Sequence, residues 1–328
     1  MALEVVRYTD KYQEKWDKFV LEKSVNGTFL QTRRFLNYHP EGRFEDCSLL
    51  VMQGSNIVAV VPACDTEDEG KRCFFSHKGS TFGGIVVDAH KYNISTLEEL
   101  FPALDAYFRE NGYERVVFKQ TSDLFSTQPA DLLDYYYYKN DYQQFDELSF
   151  YVDCGKLTDK VEDVFVVSRR RGYRKALKNE LQFKQLSSDE EIAAFYHILC
   201  TNLEKFGTKP VHTLEELYDF RRNRLTEEVD FYGAYYGDTL VCGTMLFYFG
   251  KQVLHTQYLA QDPDYAQLFT MNFLDAKLIE LARDKGFSYF SFGISTEERG
   301  KVLNKGLAVF KEGFGTDFCV NRTYYKDY

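Results

Sequence analysis

Lys311 stands between Phe310 and Glu312 in the run FSFGISTEERGKVLNKGLAVFKEGFG, residues 290–315. A cation beside an apolar helical face either snorkels harmlessly or holds an anion or a developing oxyanion in a sheltered place. Glu297 and Glu298 of the same run offer carboxylates as bases, although solvated surface acids are the commoner reading. Upstream, VLHTQYLA (253–260) alternates as a strand does. That places His255, Gln257 and Leu259 on one face and Leu254, Thr256 and Tyr258 on the other. Either His255 or Tyr258 suits a cleft, as base or as leaving-group acid; the plainer reading of each is a hydrogen-bonded core polar group. A third constellation, SRRRGYRKALKNEL (168–181), puts Arg171, Arg174, Lys175 and Lys178 on one helical face. Such a face pairs with phosphate oxygens or is simply solvated.

Two repeated units must position these groups. STFGGIVVDAHKYNISTLEELFPALDAYFRENGYERVVF and VLHTQYLAQDPDYAQLFTMNFLDAKLIELARDKGFSYFSF superpose without a gap at an offset of 174 residues. Leu97, Leu100, Leu104 and Tyr107 match Met271, Leu274, Leu278 and Leu281, the steps of three and four that mark one helix face. Gly112 and Gly286 come after them, each suited to a left-handed helix end. β-rich runs are next, from Tyr113 to Lys119 and from Phe287 to Phe292. Ser95-x-x-Glu98 predicts a capping box at the first helix start. Hairpins are expected at Gln53-Gly54-Ser55-Asn56 and at Gly237-Asp238. In the final run, Leu303, Leu307, Phe310 and Phe314 predict a helix stopped at Gly313. Each half therefore reads strand, hairpin, strand, strand, helix, strand, an α/β (α+β) chain with domains 1–160 and 161–328. The second opens with the basic helix from about Val164.

Composition narrows the function. Hydrophobic residues are 44% and charged residues 27% of 328, as in folded proteins. The formal charge of -10 repels nucleic acid and anionic membrane, so any anion site must be a local basic patch. Seven scattered cysteines without a CxxC pair predict reduced thiols and neither a disulfide framework nor a zinc site. With no apolar leader and no spanning segment, the expected place is the cytoplasm. P-loop, Rossmann, HExxH and GxSxG motifs are absent, which removes the usual support for kinase, dehydrogenase, zincin and hydrolase readings.

Four stretches in order, NGTFLQTRRFLNY, STFGGIVV, SRRRGYRKALKNEL and FGISTEERGKVLNKGLAVFKEGFG, span most of the chain. Together they resemble the GNAT acyltransferase core used twice, as in the Fem-type (FemABX) peptidoglycan aminoacyltransferases and their FemAB-like acetyltransferase relatives. The resemblance implies two tandem GNAT-like domains, each a mixed, mostly antiparallel sheet flanked by helices. It implies transfer of an acetyl or aminoacyl group to an amine on a nucleotide sugar or peptidoglycan precursor of the bacterial cell envelope. Arg170, Arg171, Arg174 and Lys175 match a region associated there with an anionic acceptor. Lys311 matches the lysine of a K-x-x-F-G ending, and the loop from Phe292 and Gly293 to Asn304 would shape the acceptor cleft. The pyrophosphate loop of ordinary GNATs (R/Q-x-x-G-x-G/A) occurs in neither half, and Asp262 and Asp264 stand where it would meet the helix start.

The expectation is thus a cytoplasmic N-acyltransferase using an acyl-CoA donor, with the amine attacking in a cleft between the halves and no metal. Lys311 would stabilise the oxyanion, Tyr258 protonate the leaving group, and His255 serve as reserve base. The rivals are an aminoacyl-tRNA-dependent Fem-type transferase and a degenerate, non-catalytic binding module. Transfer RNA is disfavoured because one short basic helix offers few phosphate contacts.

Overall fold

Leu49 and Val51 face one side of a sheet and Leu50 and Met52 the other, because successive strand side chains alternate. In the computed structural model, which describes residues 2–205 and 207–328, each face receives a helix. Trp16, Phe19 and Val20 of Gln13–Glu22 pack with Leu50, Met52 and Ile57. Leu97, Leu100 and Leu104 of Ile94–Glu110 pack with Leu49, Val51 and Val61. The strands Glu4–Arg7, Leu49–Gln53, Asn56–Val61 and Val86–Val87 lie in that order, all antiparallel. In the same unit Arg115–Lys119 pairs in parallel with Lys71–Ser76 and antiparallel with residues 323–327.

A second compact unit spans residues 148–319. Gln182–Gln185, Val229–Tyr236, Thr239–Phe249 and Val253–Gln261 run antiparallel. The helix Thr270–Asp284 then crosses over so that Tyr289–Ile294 lies parallel to Val253–Gln261. Parallel neighbours need such a crossover. Leu246, Leu254, Leu274, Leu278, Phe290 and Phe314 share its core.

Expected repeat and observed fold agree in the helix, its glycine stop and the succeeding strand. Ile94–Glu110 and Thr270–Asp284 end before Gly112 at φ 68° and Gly286 at φ 76°, values that favour glycine. Arg115–Lys119 and Tyr289–Ile294 are the strands beyond them. Leu104 and Leu278 are both fully buried. Both hairpins turn where predicted.

Four expectations are corrected. The STFGGIVV segment is strand only at Val86–Val87, because Lys71–Ser76 takes the place beside Arg115–Lys119. Asn93, not Ser95, caps the first repeated helix, accepting from Thr96 N at 3.0 Å. The helix Lys305–Glu312 continues into Gly313 in right-handed geometry, and the left-handed residue is Gly315. Against one expected boundary near 160, the chain passes between units at 147/148 and again at 319/320, inside the strands Gln143–Asp153 and Asp317–Asp327.

Candidate active site

Val253–Gln261 and Tyr289–Ile294 pair only through Val253, Leu254 and His255 against Tyr289, Phe290 and Ser291. Beyond Ser291 the second strand shifts register against its other neighbour, so that Gly293 faces Phe150. The sheet forks there, and residues 256–261 have no strand partner on that side among the described residues. Opposite, Met245 faces Tyr258 while Leu246 faces Thr256, which makes Gln257 the extra residue of a bulge. The bulge breaks the expected alternation. Leu254 and Leu259 both pack toward the core, so His255 and Tyr258 share the opposite face instead of standing on different ones.

At the base of the fork His255 Nδ1 lies 3.1 Å from Ser291 Oγ, which also accepts from Gly293 N at 3.2 Å. Gly293 has φ 71°, and a β-carbon there would stand 3.1 Å from His255 Cε1. Burial, helped by the charge of Lys311, lowers His255 to about 3. The imidazole is therefore neutral near pH 7 but too weakly basic to be a good general base.

Lys311 is 4% exposed, and its Nζ donates to Gly293 O at 3.1 Å and Ile294 O at 2.6 Å. The ammonium thus ties the last helix to one lip of the fork. Burial lowers Lys311 to about 7, while Asp275 pulls it back up. Asp275 is fully buried, and neither carboxylate oxygen has a hydrogen-bond partner among the described residues. Burial raises it to about 8 against the pull of Arg169 and Lys311. Arg169 stacks on Phe310 at 4.0 Å and donates from Nη2 to Phe310 O at 3.1 Å. Gly313 permits that approach, since a β-carbon there would fall 2.9 Å from Arg169 Nε.

Further along the fork, Tyr258 Oη lies 2.7 Å from Nδ1 of the buried His212. Burial pushes Tyr258 up to about 12, against backbone N–H groups of His212 and Val211 that lower it. Its hydroxyl is therefore protonated throughout the physiological range.

The remaining expected residues divide. Arg171, Arg174 and Lys175 are exposed on Val167–Ala176, with Arg174 Nε 3.7 Å from Glu162 Oε1. Lys175 Nζ stands 5.1 Å over the Phe269 ring, beside the start of Thr270–Asp284. Arg170 instead donates to the carbonyls of Glu162, Asp163 and Phe165, holding the preceding turn. Phe292 is a core residue against Phe290 and Phe314, so only its neighbour Gly293 reaches the fork. Asn304 caps the last helix through Leu307 N and donates to Glu297, which is exposed like Glu298. Sequence reasoning misses His212 and Asp275. Asp275 carries a signal: it falls four residues after Met271 and three before Leu278, on the apolar stripe itself.

Residues 168–301, which contain the fork and the basic helix, match the family model of the acetyltransferase (GNAT) domain. The second unit has the GNAT fold. Over nearly the whole chain the fold is similar to that of several solved structures. FemX matches at TM-score 0.70 with 13% identity, covering 99% of this chain and 97% of that one. L-PGS from Bacillus licheniformis matches at 0.58 with 14% identity, covering 95% and 91%. A tandem GNAT protein from the clavulanic acid biosynthesis pathway matches at 0.56 with 11% identity, covering 99% and 98%. No curated protein matches in sequence. An acyltransferase of the GNAT type is what this domain match supports. Among the described residues no cluster of His, Cys, Asp and Glu could hold a metal, and no helix is long and apolar enough to cross a membrane.

Proposed function

We propose that the second unit moves an acyl group from a CoA-type thioester to an amine carried by an anionic acceptor such as a nucleotide sugar or envelope precursor. The fork at His255 and Ser291 is the observation that carries this reading. It opens past the point where two parallel strands separate, toward their carboxyl ends, where open α/β sheets receive ligands. The edge that residues 256–261 present on that side, which meets no strand among the described residues, suits an extended, amide-bearing arm. Coenzyme A, when bound, supplies an acyl group activated as a thioester. Its diphosphate has no glycine loop to rest on, because Asp262 Oδ1 accepts from Asp264 N at 3.0 Å and Phe269 precedes the helix. Lys175 at that helix start and Arg171 beside it would hold the anion instead.

This chain's residues then have separate tasks. Tyr258 holds a proton on Oη and delivers it to the departing sulfur as the amine nitrogen bonds to the acyl carbon and the carbon–sulfur bond breaks. The proton lost by nitrogen passes through water and restores Tyr258. Lys311 is a positioning residue, because its Nζ donates to the fork's own carbonyls, Gly293 O and Ile294 O. Arg174 offers charge to the acceptor. Lys311→Met keeps the stem and frees the lip, so kcat should fall about 10²-fold, as small misplacements of reacting groups do. A normal kcat in that variant would reduce Lys311 to a structural cation.

Calorimetry with acetyl-CoA and with aminoacyl-tRNA tests the donor, and thiol release with a panel of amines tests the reaction. Saturable acetyl-CoA binding with amine-dependent thiol release is expected. Binding of tRNA without CoA would overturn the donor, and CoA binding without turnover on any amine would favour a non-catalytic module.

A further inference from the structure

Far along the chain from the fork residues, within the first unit, a cavity of about 250 Å³ lies between the helix Gln13–Glu22, the strand Asn56–Val61 and the loop after Val86–Val87. Its floor is apolar: Phe19, Ile57 and Val58 are all nearly inaccessible to solvent. Its rim is cationic, with Lys15, Lys18, Lys23 and Lys91 joined by His90. Asp88 is the one carboxylate in that lining, and its Oδ1 already accepts from His90 N at 2.8 Å.

The lysines are weakly engaged. Lys15 donates to Ser55 O at 2.5 Å and Lys91 to Gln53 Oε1 at 3.2 Å, both neutral acceptors. Lys18 has only the solvated Glu22, at 3.9 Å, and Lys23 has no side-chain partner among the described residues. Four ammonium groups around one cavity repel each other, and on a chain of formal charge -10 they stand out against the general field. A multivalent anion relieves that repulsion. The cluster is also peculiar to this half: at the 174-residue offset, Asp264 and Tyr265 replace His90 and Lys91.

We infer that this cavity binds a diphosphate group. A single phosphate leaves part of a four-lysine rim unanswered, whereas two linked phosphates bring the charge and the acceptor oxygens to answer more of it. A second cavity of about 420 Å³ shares Val58, His90 and Lys91 and continues past Asn93, Ser95 and Thr96, giving room for a polar body attached to the diphosphate. The helix start contributes little there, since Asn93 already accepts from Thr96 N.

Calorimetry of the full chain with inorganic pyrophosphate tests the site. Saturable binding that weakens with added salt is expected, because exposed charges are screened. Lys18→Gln with Lys23→Gln should weaken it at least about tenfold. Lys91→Glu is a second, independent variant, and circular dichroism melts show whether each remains folded. In an Arg171→Gln, Lys175→Gln background, which removes the anion site proposed in the second unit, saturable pyrophosphate binding should persist and should still be weakened by Lys18→Gln with Lys23→Gln. Absence of saturable binding, or binding indifferent to the lysine variants, overturns the assignment. So does equal affinity for orthophosphate, or binding to anionic phospholipid vesicles without binding to pyrophosphate.

Discussion

Tyr258→Phe is expected to lower kcat by roughly 10²- to 10⁴-fold, the usual worth of a positioned general acid, while donor affinity stays near that of the parent. Phenylalanine retains the ring beside His212 at the same place in the strand, so the packing loss is small. The lost hydroxyl removes the 2.7 Å contact with His212 Nδ1, a stability cost of about 1 kcal/mol. The parent hydroxyl, pushed up to about 12, keeps its proton across the whole working range. Leaving-group protonation therefore sets no upper pH limit on the parent below that value. Steady-state thiol release by parent and variant, with binding measured separately, checks both statements. Equal kcat in the two would remove Tyr258 from the chemistry.

Asp275→Asn is expected to raise stability at alkaline pH. Asp275 goes from an ordinary value of 3.8 to about 8 in the fold, so the native state favours its protonated form. The advantage of that form is complete below about pH 4 and is lost as pH rises through 8. Asparagine, neutral at every pH, escapes the loss. The variant's gain should grow between pH 4 and 8 and level off beyond it, reaching at most about 6 kcal/mol at 1.36 kcal/mol per pH unit. Lys311, lowered to about 7 from 10.5, has the opposite slope: stability rises with pH between those values as the unfolded chain alone stays protonated. Urea melts of both proteins at pH 5, 7 and 8.5 separate the two. A constant difference across these pH values would mean that Asp275 is ionised in the native state.

Residues alone reveal whatever depends on near neighbours in the chain. Leu104 and Leu278 mark their helices because a spacing of three and four is local. Arg171, Arg174 and Lys175 fall on an exposed face, as their spacing predicts, for the same reason. Arg170 differs, since its acceptors are carbonyls of a turn five to eight residues earlier, whose path no helical pattern encodes. His255 and Tyr258 are recognisable from the strand, but their faces are not. Gln257 is extra only in relation to Met245 and Leu246, so the bulge exists in the pairing and not in the strand's own alternation. His212 comes from a polar segment without periodicity and meets Tyr258 only through the fold. Asp275 is legible as an acid on an apolar stripe, a conflict of the kind that marks functional or strained positions.

The strand Asp317–Asp327 has a consequence for how the molecule is made. Residues 320–328 belong to the first compact unit, where Tyr324 is buried and stacks on Tyr137 at 4.1 Å. The half that leaves the ribosome first is thus the half finished last. Until residues 148–319 have been translated, the Arg115–Lys119 strand lacks its antiparallel neighbour and shows an open edge. Such edges invite pairing with other chains. Synthesis order and folding order are thereby uncoupled, and the nascent first unit needs shielding for as long as the second takes to emerge.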